Sequence, residues 1–337
     1  FFYLCKFRQQ NDLLLVTSAP AFLPVFAYFA HLLLRQPYVC LVYDLYPDAV
    51  TELKVLPKNN LLVRFWNNLN HRVWRSSQAI IVLSSTMKDR IVAKTPDVAD
   101  KISIIHNWAD PDRIQPIFKQ DNWFAIEHKL TDKFTVLYSG NLGRCHDTNT
   151  ILAAATLLKN EPIQFVFIGG GFKHSDVAKL TKELNLDNCL FLPYQDKKDI
   201  PYSLTACDLS LVSIAPGLEG VVAPSKLYGM LAAGRPIAAI CESHSYLRPL
   251  LAKARCGAAF HHNDSMNLAD YIRFLSLNPD IATQMGRSGR QYLESHFTPE
   301  IIANQYLQVL QASLRKPEHF ESITKFKTRR ELSRKYN

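Results

Sequence analysis

The sequence predicts an α/β protein with two domains, each a parallel sheet with helices on both faces. Three observations predict this fold. The chain has 337 residues, which is enough for two domains of ordinary size. From Thr135 onward, short apolar runs alternate with loops and helix-like segments, a pattern typical of a doubly wound parallel sheet. A polar, irregular stretch at 111–133 precedes that region and is typical of an interdomain connection.

These observations divide the chain into three parts. The first domain is predicted at 1–125 and the second at 126–300. Residues 301–337 are predicted to form a C-terminal helix followed by a basic tail.

The first domain is predicted from a βαβ unit. Residues 12–17 form an apolar strand, 21–34 a helix and 37–43 a second strand. A rival interpretation treats Leu13–Leu34 as a membrane span, because these 22 residues contain no Asp, Glu, Lys or Arg. Pro20 argues against one continuous helix, since it falls at the predicted turn.

Acidic side chains follow the second strand. The segment Tyr43–Asp48, YDLYPD, comes at the carboxyl end of that strand and so at the ligand-binding edge of a parallel sheet. Its carboxylates and tyrosines suit the hydroxyl groups of a sugar, which makes Asp44 the candidate catalytic residue. The alternative is that Asp44 or Asp48 caps the helix that follows.

An amphipathic helix is predicted over Leu61–Arg75, because apolar residues recur three and four positions apart. Its arginines and tryptophans suit a membrane interface. The alternative is a helix that packs on its own sheet and points its arginines outward.

A glycine-containing loop follows the first strand of the second domain. It contains Gly140, Gly143 and Arg144 and is followed by a predicted helix at 148–158. Glycines between a strand and a helix let a phosphate approach the backbone. Arg144 has a guanidinium that can bind a phosphate through two donors. The loop therefore predicts a phosphate site.

The segment Ser213–Ile240 carries the strongest signal, because a loop and a short helix lie between two apolar strands. Pro224 and Ser225 favour a helix start, and Gly234 favours its end. Lys226 adds a positive charge at the carboxyl edge of the sheet, where ligands bind. This segment also predicts a phosphorylated ligand. Neither a G-x-G-x-x-G motif with its acidic partner nor a Walker motif occurs, which disfavours dehydrogenases and P-loop enzymes.

The net charge of +9 indicates an anionic partner, which could be a phosphorylated ligand, an anionic membrane surface or nucleic acid. From Arg315 onward, eight Lys or Arg face three Glu, which predicts either a solvated tail or a membrane contact. Nucleic acid is disfavoured because no nucleic-acid-binding motif appears. Seven scattered cysteines without C-x-x-C predict a reduced, cytoplasmic chain and no metal site.

The pattern P-S-K-L-Y-x-x-x-A-A-G-R-P at 224–236 resembles the donor-binding helix of retaining glycosyltransferases with the GT-B fold. The sequence is similar to family 4 glycosyltransferases of bacterial polysaccharide biosynthesis from Asp12 to Gln308. The resemblance implies two Rossmann-like domains and a C-terminal helix that crosses back. It also implies sugar transfer with retention, no cofactor, and a cytoplasmic location at the inner face of the plasma membrane.

The resemblance implies the partners as well: a UDP- or GDP-linked sugar donor, and a glycan or polyprenyl-diphosphate-linked acceptor. It assigns six residues to the donor. Gly140 and Gly143 belong to the phosphate loop, Ser225 and Lys226 lie near the diphosphate, Tyr194 lies in the turn that meets the base, and Glu219 lies in the loop that holds the sugar hydroxyls.

Three departures from the family pattern matter. Gly229 stands where many relatives have a glutamate that binds ribose. Asn141 and His146 stand where many relatives have Arg and Lys, and Arg144 is the candidate substitute. The family's first strand and Gly-rich loop should precede Asp12, so an N-terminal truncation is expected. The alternative function is therefore a non-catalytic or truncated nucleotide-sugar-binding relative that acts in polysaccharide assembly.

Overall fold

Four parallel strands form the first sheet of this computed structural model, which describes residues 12–315. Their order is β1-β2-β3-β4. The strands are β1 (Leu14–Thr17), β2 (Tyr38–Val42), β3 (Ala79–Val82) and β4 (Ile102–Ile104). Every residue of β2 and β3 is buried, as expected for central strands of a parallel sheet that is covered on both faces.

Helices connect these parallel strands. They are α1 (Leu23–Leu34), α2 (Asp48–Glu52), α3 (Leu61–Ser76) and α4 (Ser85–Lys94). Side chains fix two of the helix starts. The Asn60 side chain accepts a hydrogen bond from the Leu62 amide at 2.8 Å, and the Ser84 hydroxyl accepts one from the Met87 amide at 3.2 Å.

The predicted βαβ unit is confirmed, and the rival membrane span is wrong. Leu13–Leu34 consists of the end of a coil, strand β1, a turn around Pro20 and helix α1. Strand β1 pairs in register with β2, so its backbone is bound to the sheet. None of the helices within residues 12–315 is long and apolar enough to span a membrane.

The amphipathic helix α3 is confirmed, but its tryptophans do not face outward. Trp66 and Trp74 are buried against the first domain, at 8% and 4% exposure. Arg75 points outward and its Nε donates to Asp97 Oδ2 at 2.7 Å. The interpretation in which the tryptophans contact lipid is therefore wrong, because both side chains are buried within the first domain.

Six parallel strands form the second sheet, in the order β10-β9-β8-β5-β6-β7. The strands are β5 (Phe134–Ser139), β6 (Ile163–Ile168), β7 (Cys189–Leu192), β8 (Leu209–Ser213), β9 (Ile237–Ile240) and β10 (Gly257–Phe260). The direction of winding reverses between β5 and β8. In open α/β sheets, such a reversal leaves a crevice at the carboxyl ends of the strands.

One helix, α5 (Trp123–Glu127), belongs to the linker. Between residues 149 and 315, eight further helices surround the second sheet or connect it to the first domain. The eight are α6 (Asn149–Leu157), α7 (His174–Glu183), α8 (Ile200–Thr205), α9 (Lys226–Ala232), α10 (Leu247–Ala254), α11 (Ser265–Leu277), α12 (Pro279–His296) and α13 (Pro299–Arg315). Helix α9 begins directly after Ser225 and ends before Gly234, as predicted, and Gly234 has a φ of +65°. The predicted basic tail and the start of the chain lie outside the described residues.

The two domains share one core. Buried side chains of the first sheet, the linker and the helix α9 region form a continuous apolar cluster, whereas a second cluster lies within the second domain alone. The linker is anchored as well. The Lys119 ammonium is buried, donates to Thr135 Oγ1 at 2.9 Å and pairs with Asp208. This packing holds a cleft between the domains.

Candidate functional site

A cavity of about 720 Å³ lies between the domains, at the carboxyl edge of the second sheet. Both domains and the linker line it. The lining residues that the sequence singled out are Asp44, Gly140, Asn141, His146, Tyr194, Ser225, Lys226 and Gly229. Three other predicted residues, Gly143, Arg144 and Glu219, do not line it.

Gly140 lines the floor of this cavity, and Gly169 lies directly against Gly140. Gly140 follows β5 with a φ of +117°, and Gly169 follows β6 with a φ of +128°. A Cβ atom on Gly169 would lie 2.4 Å from the carbonyl oxygen of Gly140. The two loops therefore meet through glycines, which leaves room above them for a ligand.

Lys226 brings a positive charge to the cavity floor, as the sequence predicted. Its Nζ lies over the ring of Tyr138, 3.7 Å from the centroid. The Nζ atom is also 3.7 Å from the position a Cβ would take on Gly140. It is buried and makes no hydrogen bond to any described residue. Burial lowers the pKa of Lys226 to about 7.

A buried ammonium without a hydrogen-bond acceptor is costly in a folded protein unless a ligand supplies one. Lys226 therefore fits an anion that enters the cavity beside Gly140. Buried groups with shifted pKa values in a cleft are typical of functional sites.

His146 lines the same region but adds no charge. Its Nδ1 lies 2.8 Å from the carbonyl oxygen of Ser213, so the ring proton sits on Nδ1 and donates there. Burial and the charge of Lys226 lower the pKa of His146 to about 4. The ring is therefore neutral near pH 7 and does not replace the lysine that relatives have in this loop.

Arg144 does not supply the missing charge either. Its guanidinium stacks on the ring of Phe172, 3.8 Å from the centroid, outside the cavity lining. A Cβ atom on the neighbouring Gly143 would lie 3.2 Å from the side-chain nitrogen of Asn141. Among the described residues that line the cavity, the basic ones are Arg113, Lys197 and Lys226, and Lys226 is the one whose Nζ lies beside Gly140.

Asp44 reaches the cavity from the first domain. The backbone amides of Tyr43 and Asp44 both donate to the hydroxyl of Ser18, at 2.9 and 3.2 Å, which fixes the chain at the end of β2. Burial raises the pKa of Asp44. Cys145 and Lys226 line the same cavity as Asp44, and burial raises the pKa of the Cys145 thiol.

Asp48, the other acid of this segment, has a structural position. It lies in the first turn of α2, is buried and pairs with Lys94. Neither Asp44 nor Asp48 caps that helix, because Pro47 is its N-cap residue and no side chain caps it. Asp44 instead lines the cavity.

Glu219 lies between the domains instead of in the cavity. Its side chain is 1% exposed, and Oε1 accepts a hydrogen bond from Thr86 Oγ1 at 3.2 Å. Burial raises the pKa of Glu219, and Oε2 has no partner among the described residues. The Arg90 side chain donates to the Glu219 carbonyl oxygen. The geometry thus makes Glu219 part of the contact that positions its loop.

Sequence reasoning missed three cavity residues, Trp108, Arg113 and Lys197. Arg113 Nη2 donates to the carbonyl oxygen of Lys197 at 3.0 Å, which joins the linker to the loop before α8. Trp108 and Tyr194 both keep exposed rings in the cavity lining. No local motif marks these residues, because they meet only once the domains pack together.

Residues 12–315 contain no cluster of three or more His, Cys, Asp or Glu that could hold a metal ion.

Two families of known proteins match the chain. Residues 119–292 match the family described as "Glycosyl transferases group 1", which is more than half of the chain. Residues 4–113 match "Glycosyltransferase Family 4".

Two curated relatives are similar in sequence. The probable glycosyltransferase WbjE of Pseudomonas aeruginosa is 28% identical over 267 residues, which are 78% of this chain and 66% of WbjE. The putative colanic acid biosynthesis glycosyl transferase WcaI of Escherichia coli K12 is 28% identical over 174 residues, which are 51% of this chain and 42% of WcaI. The matched region is thus less than two thirds of either relative.

Solved structures show the same fold. Anabaena Alr3699/HepE in complex with UDP and glucose has a TM-score of 0.73 at 18% identity, over 89% of this chain and 77% of that one. Sucrose-phosphate synthase from Thermosynechococcus elongatus has a TM-score of 0.72 at 16% identity, over 89% of this chain and 73% of that one. The predicted GT-B fold is confirmed.

Proposed function

The chain belongs to the family Glycosyl transferases group 1, and on that premise we propose that it transfers a sugar from a nucleotide donor. The acceptor is a glycan or a lipid-linked sugar, and the product is a cell-surface polysaccharide. The names of WbjE and WcaI support the reaction class, and the name of WcaI supports the pathway. HepE, which has the same fold, was solved with UDP and glucose, which supports a UDP-linked donor.

One observation carries the proposal, the buried and unpartnered ammonium of Lys226 beside the Gly140 loop. A nucleotide diphosphate supplies the acceptor oxygens that this ammonium lacks. Lys226 then neutralises the charge that develops on the leaving diphosphate, a form of stabilisation that is strong in a water-poor site. Ser225, directly before α9, lies beside the same diphosphate, and Tyr194 flanks the base.

The reaction retains the configuration of the transferred sugar. The bond between the anomeric carbon and the phosphate oxygen breaks, and the diphosphate leaves with the electron pair. The acceptor hydroxyl oxygen then bonds the anomeric carbon on the same face, and its proton passes to the leaving phosphate oxygen. Asp44, at the cavity wall of the first domain, orients that hydroxyl.

The decisive test is a thermal shift with UDP, GDP and ADP on the native chain and on Lys226→Ala. A ligand that binds the folded state stabilises it by about 2.7 kcal/mol at a concentration of 100 times its dissociation constant. We expect one nucleotide to raise the melting temperature of the native chain and to leave Lys226→Ala unchanged. An equal shift in both proteins would remove Lys226 from the site.

A second function, a nucleotide-sugar-binding relative without turnover, is favoured by two observations. Gly229 offers no side chain to the ribose, and Arg144 stays outside the cavity. Under this function, the nucleotide sugar stabilises the chain but is not consumed. A measurement of nucleotide release from the nucleotide sugar, with acceptor lipids present, separates the two functions. Release indicates transfer, and no release indicates binding alone.

We also place the chain on the cytoplasmic side of the plasma membrane, at its inner face, since nucleotide sugars are cytoplasmic metabolites and a lipid-linked acceptor would lie in that membrane. Fractionation of cells that express the chain tests this location.

A further inference from the structure

The cavity extends from Lys226 along helix α9 to an apolar wall. Gly229 lies three positions after Lys226, about 4.5 Å farther along the helix axis, and both residues line the cavity. A Cβ atom on Gly229 would lie 3.4 Å from Leu204 Cδ1 and 3.9 Å from Ile114 Cδ1. Leu204 belongs to α8 and Ile114 to the linker, and both also line the cavity. The wall beside Gly229 is therefore built from backbone and aliphatic side chains.

The ribose of a bound nucleotide would lie against this wall. With the diphosphate at Lys226, the transferred sugar extends toward Asp44 and the nucleoside extends the other way. The base flanks Tyr194, whose ring is 61% exposed within the cavity lining. The ribose joins the diphosphate to the base, so it lies next to the following turn of α9, where Gly229 stands.

The acids of the cavity do not take the place of a side chain at position 229. A carboxylate is the usual partner of ribose hydroxyls, because it only accepts hydrogen bonds. Among the described residues that line the cavity, the acids are Asp44 and Asp110. Asp44 lies after β2, on the side of the acceptor. Asp110 is exposed, and its Oδ1 already accepts hydrogen bonds from the amides of Asp112 and Arg113, at 2.9 and 3.3 Å.

The buried polar atoms of the cavity lining that lack a hydrogen bond lie elsewhere. Among the described residues they are Ser213 Oγ and Lys226 Nζ. Ser213 ends β8, and its carbonyl oxygen accepts from His146. The hydroxyl of Ser203, in α8, donates to the Ile200 carbonyl oxygen at 3.1 Å. No buried polar side chain at the apolar wall therefore needs a ribose hydroxyl to complete its hydrogen bonds.

We propose that this wall accepts a deoxyribose as well as a ribose, so that the donor class extends to deoxyribonucleoside-diphosphate sugars. A site built to bind a substrate hydroxyl strongly rejects the analogue that lacks it, because a buried polar group is left unpaired. An apolar wall has no such group and discriminates weakly. This inference deepens the proposed function and rests on it for the diphosphate at Lys226. It makes Gly229 a determinant of donor specificity.

The test compares each nucleotide with its 2′-deoxy counterpart, which lacks a single hydroxyl oxygen. UDP, GDP, ADP and their 2′-deoxy forms are titrated calorimetrically into the full chain. For the base that binds, we expect the dissociation constants of the two forms to agree within about threefold, because no buried group at the wall reads the hydroxyl.

The outcomes separate this inference from the proposed function. A deoxy form that binds at least about tenfold more weakly than the ribonucleotide would show that another group, such as Asp110, binds the ribose. That result would overturn the inference and leave the donor site in place. If none of the six nucleotides bound, the donor site and the inference would fall together.

Substitution of Gly229 tests where the ribose lies. Gly229→Glu adds a carboxylate to the wall, and its Cβ meets only the ends of the flexible Leu204 and Ile114 side chains. We expect this variant to favour the ribonucleotide over its deoxy form by at least about tenfold. The control is Gly229→Met, which has a similar length but no oxygen and should keep the ratio of the native chain. Each ratio compares two ligands on one protein, so a general loss of affinity cancels. Equal ratios in the two variants would place the ribose elsewhere and overturn the inference.

Discussion

The pKa of Lys226 makes nucleotide binding depend on pH. Burial lowers this pKa to about 7 in the free protein, and a bound diphosphate raises it by stabilising the charged form. Between these two pKa values, binding takes up a proton. The dissociation constant for UDP should therefore rise by up to about tenfold per pH unit above pH 7, where the phosphate is already ionised.

Calorimetric titration of UDP at several pH values, in buffers of different ionisation enthalpy, measures both the affinity and the proton uptake. Lys226→Ala is the control, because it should bind weakly and with no proton uptake. His146 should not contribute, since its pKa of about 4 keeps it neutral over this range. An affinity that stays constant from neutral to alkaline pH would contradict the assignment of Lys226 to the diphosphate.

Gly169 and Gly143, in the two loops that meet beside the cavity, should differ sharply in their tolerance of a side chain. In Gly169→Ala, the added Cβ meets the Gly140 carbonyl oxygen at 2.4 Å and the φ of +128° is strained. We expect this variant to lose roughly 1–3 kcal/mol of stability and to lose UDP binding, since both loops must shift. Urea unfolding measures the first effect and thermal shift the second.

Gly143→Ala is the matched control for this change. Its added Cβ would lie 3.2 Å from the amide nitrogen of the flexible Asn141 side chain, with no positive φ. We expect a much smaller change in the free energy of unfolding and an intact UDP response. If both variants lost the same stability and the same UDP response, this would contradict a role for backbone contact between the two loops in shaping the site.

At the scale of elements, α4 holds the loop between β8 and α9 through Arg90. Its Nε and Nη2 donate to the carbonyl oxygens of Glu219 and Gly217, at 2.5 and 2.6 Å. Its Nη1 lies 3.6 Å from Glu52 and 3.8 Å from Asp48. The far end of this loop, at 222–223, lines the cavity, so Arg90 positions part of the cavity wall without touching it.

We expect Arg90→Leu to lower the free energy of unfolding by about 2–3 kcal/mol, because two carbonyl groups lose a charged donor. Amide exchange at 217–222 should accelerate while strands β5 and β6 keep their protection. Mass spectrometry of exchanged peptides measures both. Arg75→Leu is the control, since its ion pair with Asp97 is exposed and should matter little. Unchanged exchange in the loop of Arg90→Leu would contradict this role.

The elements themselves could be predicted from local sequence. Strand β2 is buried at every position, and a continuous apolar run is what such a strand requires. Helix α9 begins after Ser225 and ends before Gly234 because caps and stops are local signals. The contacts that loop side chains make could not be predicted in this way. Glu219 bonds Thr86, a residue 133 positions away, and Arg144 stacks on Phe172.

At the scale of the whole molecule, the two domains are expected to unfold together. A continuous apolar cluster joins them, and the Leu45 amide donates to the Val221 carbonyl oxygen across the interface at 2.9 Å. Two buried thiols report on the two domains, Cys40 in β2 at 1% exposure and Cys256 before β10 at 0%. Burial keeps both unreactive until their domain opens.

Labelling of these thiols in increasing urea, followed by mass spectrometry of each peptide, should give the same midpoint for Cys40 and Cys256, since cooperative domains lose their structure in one transition. UDP should move both midpoints equally, although its proposed contacts are mainly with the second domain, because ligand binding stabilises the whole cooperative unit. If Cys40 reacted at urea concentrations at which Cys256 stays protected, the shared core would not couple the domains. The first domain could then open independently while the second remained folded around its nucleotide.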